Sequence, residues 1–118
     1  MDKKALQGLN VIAEEVYQLA REKGWYDGAV GTRNLAQDFV NIHAELSEAW
    51  EEYRKGHPPT LTYLRADGKP EGIPTELADV LIRVLDTMRH HGIDIAAAIE
   101  RKHEFNKTRP YRHGGKLA

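Results

Sequence analysis

Two pairs of carboxylates, Glu45-Leu46-Ser47-Glu48 and Glu76-Leu77-Ala78-Asp79, carry the strongest chemical signal in this chain. Residues three apart on a helix are neighbours, so each pair aims two acids at one place. Two such helices side by side would gather four carboxylates around a point, and in a partly dry site their repulsion would be large without compensation. A hard divalent cation is the usual compensation. Mg²⁺ and Mn²⁺ take oxygen ligands, and carboxylates on adjacent helices build such sites in bundle cores. Glu45, Glu48, Glu76 and Asp79 are therefore the candidate metal ligands, with Mg²⁺ the expected cofactor and Mn²⁺ its alternative. The plainer reading is two ordinary acidic helix faces, and the second pair, at the start of another apolar helix, weighs against it.

The elements that must position these acids follow from periodicity. Leu6, Leu9, Ile12, Ala13, Val16, Leu19 and Ala20 recur at three and four, which predicts an amphipathic helix ended by Gly24 and frayed near Gly8. Trp25 and Tyr26 then stand among the turn residues Asp27, Gly28 and Gly31. They either cap the end of the core or offer a flat surface on which a ring can stack. A second helix is expected from near Thr32 to Asn34 through Lys55, where Gly56, Pro58 and Pro59 stop it. Its buried stripe would be Leu35, Phe39, Ile42, Leu46, Ala49, Trp50 and Tyr53. At about 100° per residue, Asp38, Glu45, Glu48 and Glu52 border that stripe, where a neighbouring helix would approach.

Residues 57–73 have no sustained period and read as a short extended or hairpin segment, either a cover over a site or a surface excursion. Pro74 suits the first turn of a third helix, with Leu77, Val80, Leu81, Val84, Leu85 and Met88 as its stripe. Ile82 on its other side marks it as central. Asp79 would then be partly buried and would need either Arg83 or a metal as partner. His90 and His91 precede Gly92 and read as helix-end residues, not ligands. Asp94 caps a fourth helix carrying Ile95, Ile99 and Phe105, with Lys102 and Asn106 expected on its inward side. From Glu100 to Ala118 there are six Lys or Arg and two Glu, a local positive excess for which a polyanion is the natural partner. Pro110, Tyr111 and Gly114-Gly115 shape this tail more than a solvated end requires.

These elements predict an all-α fold of four main helices packed as a bundle, one domain over residues 1–118, completed by association into a homodimer or homotetramer. Seventeen Lys and Arg against eighteen Asp and Glu leave no overall basic field, so no nucleic-acid partner is expected. The absence of cysteine excludes disulfides and thiolate zinc sites. No stretch has the length of a membrane span and the N-terminus lacks a signal-peptide core, so a cytoplasmic protein without membrane contact is expected.

The two acidic pairs, separated by 27 residues, resemble the motif of the MazG-type all-α nucleotide pyrophosphohydrolases. Gly72-Ile73-Pro74-Thr75-Glu76-Leu77-Ala78-Asp79-Val80 and the tail Arg109-Pro110-Tyr111-Arg112-His113-Gly114-Gly115-Lys116 strengthen the likeness, which covers roughly residues 33–116. The resemblance implies Mg²⁺-dependent cleavage of a nucleoside triphosphate between its α and β phosphates, releasing the monophosphate and pyrophosphate. Glu45, Glu48, Glu76 and Asp79 would hold the metal, with Glu45 or Glu48 as base for the attacking water. Lys102, Asn106, Arg109 and Lys116 would hold the phosphates, more weakly supported by Arg112 and His113, and Trp25, Asn34 and Trp50 would meet base and sugar. One departure stands out: many relatives have a further glutamate at or one turn before the first pair, where this chain has Ala44 and Ile42. Either the ligand set is reduced, or Asp38 or Glu52 joins it. Alternatives are a phosphoribosyl-ATP pyrophosphohydrolase, a non-catalytic helical oligomerisation module, and a di-iron bundle suggested by Glu100-x-x-His103, which lacks the second such element that architecture needs.

Overall fold

A computed structural model describes residues 1–28 and 34–118; Gly31 and Thr32, read above as loop and helix start, lie outside them. The chain is helical apart from one small hairpin. Helix α1 spans Lys3–Glu22, α2 Leu35–Arg54, α3 Ile73–His90 and α4 Ile95–Lys107, with strands β1 (Tyr63–Leu64) and β2 (Pro70–Glu71) between α2 and α3. Helix starts are specified locally. Asp2 accepts from the Ala5 amide and Asp94 from that of Ala97, while Asn34 and Gln37 form a reciprocal capping box. Gly8 lies inside α1.

Helix α3 is central. It packs against α1, α2, α4 and β2, whereas α2 packs on α3 and on neither α1 nor α4. Glu14 pairs with Arg89, the Tyr17 hydroxyl meets His90 Nδ1 at 3.3 Å, and Tyr26 donates to Asp86 at 2.7 Å. With Asn10 bonded to Asp94 beyond the far end of α3, these contacts set α1 antiparallel to α3. At the start of α2, Asp38 is buried and its Oδ2 lies 3.0 Å from His91 Nε2. His91 is thus a tether between α2 and the end of α3, and His90 is packed against Tyr26 with ring centres 4.3 Å apart.

The hairpin pairs Tyr63 with Glu71 and Leu64 with Pro70 in antiparallel register. It turns into α3 through Gly72, whose φ is 115°; a Cβ there would stand 2.2 Å from the Leu61 carbonyl oxygen. Only glycine fits that close approach.

The expected stripe of α2 is not its buried face. Leu35, Phe39, Leu46, Trp50 and Tyr53 are exposed, and the residues buried on this helix are Asp38, Ala49 and Glu52. Two acids of the flank, Asp38 and Glu52, are buried together with one stripe residue, Ala49, while Glu48 of the flank stays exposed. On α3, Leu77, Leu81 and Ile82 are likewise exposed. The fully buried apolar set is correspondingly small: Leu6, Ala13, Tyr17, Ala49, Ile95 and Ala96. The accessible surface is 8698 Å², against roughly 6,500 Å² for a compact monomer of this mass.

Candidate metal centre

The four carboxylates arrive from two directions, and one sits deepest. Glu76, in the first turn of α3, is only 3 % exposed, and its Oε2 has no hydrogen-bond partner among the described residues. Helix α3 begins where Gly72 ends the hairpin, so the first turn of the helix, with Glu76 on its inner side, is driven against α2. Burial and the neighbouring Glu48 and Glu71 carboxyls push the Glu76 carboxyl up to about 8. One turn further along, Asp79 is half-buried and is pushed up as well, by burial first and then by Glu45.

Glu45, Glu76 and Asp79 each offer a carboxylate oxygen, and these atoms lie within 4.8 Å of one another. Three oxygens at that separation, one of them buried and unsatisfied, form a donor set of the kind a hard divalent cation takes. Glu48 is exposed and lies beside Glu76, so it borders the cluster without belonging to this closest triplet. Arg83 donates from Nε to Glu45 at 2.7 Å, so the buried-side arginine pairs with Glu45 across the α2–α3 contact. Of the two partners considered for Asp79, Arg83 is directed elsewhere and acts on it only through space.

A second acidic group shares Glu76. Oxygens of Glu52, Glu71 and Glu76 also lie within 4.8 Å of one another. Glu52 is buried near the end of α2, where it accepts from the Tyr63 hydroxyl at 2.9 Å and lies 2.6 Å from His57 Nδ1. The His57 contact holds its carboxyl below the usual range. Glu71 has longer ion pairs to Arg65 and Lys69, at 3.5 and 3.9 Å. Of the two acids considered as additions to the ligand set, Glu52 therefore adjoins the cluster, while Asp38 is held by His91 at the other end of α2. Sequence reasoning missed Glu71. Its only signal was its place immediately before Gly72, which the aperiodic segment around it concealed.

Two cavities flank the acids. One, of about 340 Å³, is lined by Glu48, Glu52 and Glu76 with Lys55, Arg65 and Lys69. The other, of about 360 Å³, lies between α1 and α3 and is lined by Glu45 and Asp79, by Val16, Leu19 and Ile82, and by Trp25, Lys23, Arg83 and Asp86. Trp25 is thereby brought alongside the carboxylates. Trp50 lines neither cavity and stacks on Tyr53 with ring centres 5.5 Å apart; Asn34 is occupied as the cap of α2. Lys102 and Asn106, expected to point inward, are exposed, and Lys102 Nζ lies 5.1 Å from the centre of the Phe105 ring. The inward reading fails because α4 fully buries only residues of its first turn, Ile95 and Ala96. Arg109, Arg112, His113 and Lys116 are exposed too, and none of the tail residues lines either cavity. Residues 112–115 form a single turn, α5 (Arg112–Gly115), with positive φ throughout. No family model, no curated protein and no solved structure matches the chain.

Proposed function

We propose that this protein is a Mg²⁺-dependent nucleoside triphosphate pyrophosphohydrolase, cleaving between the α and β phosphates. The observation that carries the reading is Glu76: a buried carboxyl, with an oxygen unsatisfied among the described residues, facing two further acids. Such a group calls for compensation, and a bound cation that displaces its proton is the compensation this reading supplies. Glu45, Glu76 and Asp79 would hold the cation, with Glu48 beside them. When bound, it supplies charge neutralisation on the phosphate oxygens. The chain's own residues do the rest. Glu48, exposed at the rim, or Glu45 would take the proton that the attacking water loses, and Arg83 donates to Glu45 at 2.7 Å. Trp25, Leu19 and Ile82 give the neighbouring cavity apolar walls on which a base can rest.

The phosphate-holding role of Lys102, Asn106 and Arg109 is retained as a proposal in which they come from a second copy. Their own α4 does not touch α2, and the uncovered apolar stripe of α2 supports a homodimer or homotetramer. The test is a pyrophosphate-release screen over ribo- and deoxyribonucleoside triphosphates with Mg²⁺ and Mn²⁺. Release that needs the cation and is lost in Asp79→Asn supports the reading. The absence of release from every triphosphate rejects it.

A further inference from the structure

The cavity of about 340 Å³ at the hairpin end of α2 holds charges of both signs. Asp38 meets His91 and Glu52 approaches Glu76, so α2 and α3 run antiparallel. Glu48 and Glu76 therefore line this cavity while Glu45 and Asp79 line the other, and the acidic cluster lies between the two. Three cations share the cavity with Glu48 and Glu76: Lys55, the C-terminal cap of α2, and Arg65 and Lys69 of the hairpin.

The hairpin sets its two cations against each other. One step beyond the paired residues Leu64 and Pro70, the Arg65 amide donates to the Lys69 carbonyl at 2.9 Å, so Arg65 and Lys69 stand opposite one another. Like charges so placed are destabilising. Asp67 relieves the arginine, accepting from its Nε at 3.3 Å and its Nη2 at 2.6 Å, but toward Lys69 it accepts only from the backbone amide. The Lys69 ammonium keeps a loose ion pair to Glu71 at 3.9 Å, and Lys55 Nζ lies 3.6 Å from Glu52. Both side chains are half-exposed, and an ammonium has three donors to give. Two further acids around them are engaged elsewhere, Glu51 with Arg54 at 3.0 Å and Glu52 with Tyr63 and His57. A bare anion entering here would face Glu48 and Glu76, and a bare cation would face Lys55, Arg65 and Lys69. A polyphosphate that carries a divalent cation suits both signs, with its metal on the carboxylate side and its outer oxygens on the ammonium and guanidinium donors.

We propose that this cavity is a pyrophosphate subsite, in which Lys55, Arg65 and Lys69 hold the terminal phosphates of a Mg²⁺-complexed polyphosphate. The nucleoside half then belongs to the other cavity, with Trp25, Leu19 and Ile82. The proposal rests on the phosphoanhydride reading above but not on hydrolysis. Its test is calorimetric binding of inorganic pyrophosphate to the full chain, with and without Mg²⁺, alongside the triphosphate screen. Mg²⁺ should tighten pyrophosphate binding at least about ten-fold. Lys55→Gln with Lys69→Gln should weaken it at least about ten-fold, while the Mg²⁺-induced rise in Tm without pyrophosphate is no smaller and AMP binding is unchanged. No pyrophosphate binding with Mg²⁺, equal binding without it, or an unchanged affinity in the folded double variant overturns the proposal. Binding that survives the double variant but is lost in Arg109→Gln also overturns it, by assigning the phosphates to the tail. Pyrophosphate bound as expected with no triphosphate cleaved upholds the subsite and rejects the hydrolase reading. Triphosphate cleaved with the same KM by wild type and double variant does the reverse.

Discussion

At the scale of single residues, the acidic cluster makes opposite demands on its members. Glu48→Gln and Asp79→Asn keep size and remove charge, so pyrophosphate release should fall at least about 100-fold with the helical circular dichroism unchanged. Near wild-type turnover in both would make the acids structural. Glu76 adds a pH signature. In the ion-free fold its carboxyl stands at about 8, above the ordinary 4.5, so the unfolded chain releases this proton first as pH rises. The stability it contributes is complete below about pH 4.5 and is lost as pH climbs through about 8. Ion-free Tm should therefore decline across that window, and Glu76→Gln should flatten the decline. Mg²⁺ must displace the same proton, so its stabilising effect should grow with pH. A Mg²⁺ shift in Tm that is the same at about pH 6 and about pH 8.5 would speak against Glu76 as a ligand.

Among the elements, the hairpin and its exit at Gly72 set the entry angle of α3. Gly72→Ala would press a methyl group onto the Leu61 carbonyl at a φ of 115°, at a cost on the order of 3 kcal/mol, and Tm should fall by roughly 10 °C or more. An unchanged Tm would mean that the loop yields freely. The helices themselves were legible from their ends and breakers: Asn34, Pro74, Gly92 and Asp94 mark ends that the structure reproduces, while the Gln37 half of the Asn34 capping box was not read. Which face each helix buries was not legible. On α2, periodicity alone separates a stripe from its flank but cannot say which of them meets α3, and the answer depended on Glu45, Glu52 and Asp38 finding Arg83, Tyr63 and His91. Those partners are distant in sequence. The same limit hid Glu71, which joins Glu76 only because the strand register places it there. Lys102 and Asn106 were misplaced for a related reason: their spacing matches Ile95 and Ile99, yet both are exposed and α4 fully buries only Ile95 and Ala96 in its first turn.

For the whole molecule, the surface left open on one chain is the leading observation. Phe39, Leu46, Trp50 and Tyr53 share one side of α2 and are all exposed, a contiguous apolar face of the kind that marks an interaction surface. Sedimentation should give a dimer or tetramer, and Leu46→Glu with Tyr53→Glu should shift it toward monomer; a wild-type monomer would refute association through this face. If the tail of one copy serves the carboxylates of another, deletion after Thr108 should cut triphosphate hydrolysis at least about ten-fold while leaving the Mg²⁺-induced rise in Tm intact. The most direct test of the central claim is single-turnover pyrophosphate release from a panel of triphosphates, with Mg²⁺ titrated against wild type and Glu76→Gln. The wild type should release one pyrophosphate per monophosphate with saturating dependence on Mg²⁺, and Glu76→Gln should need far more Mg²⁺ or fail. Release independent of the cation, or equal in the two proteins, would contradict the account.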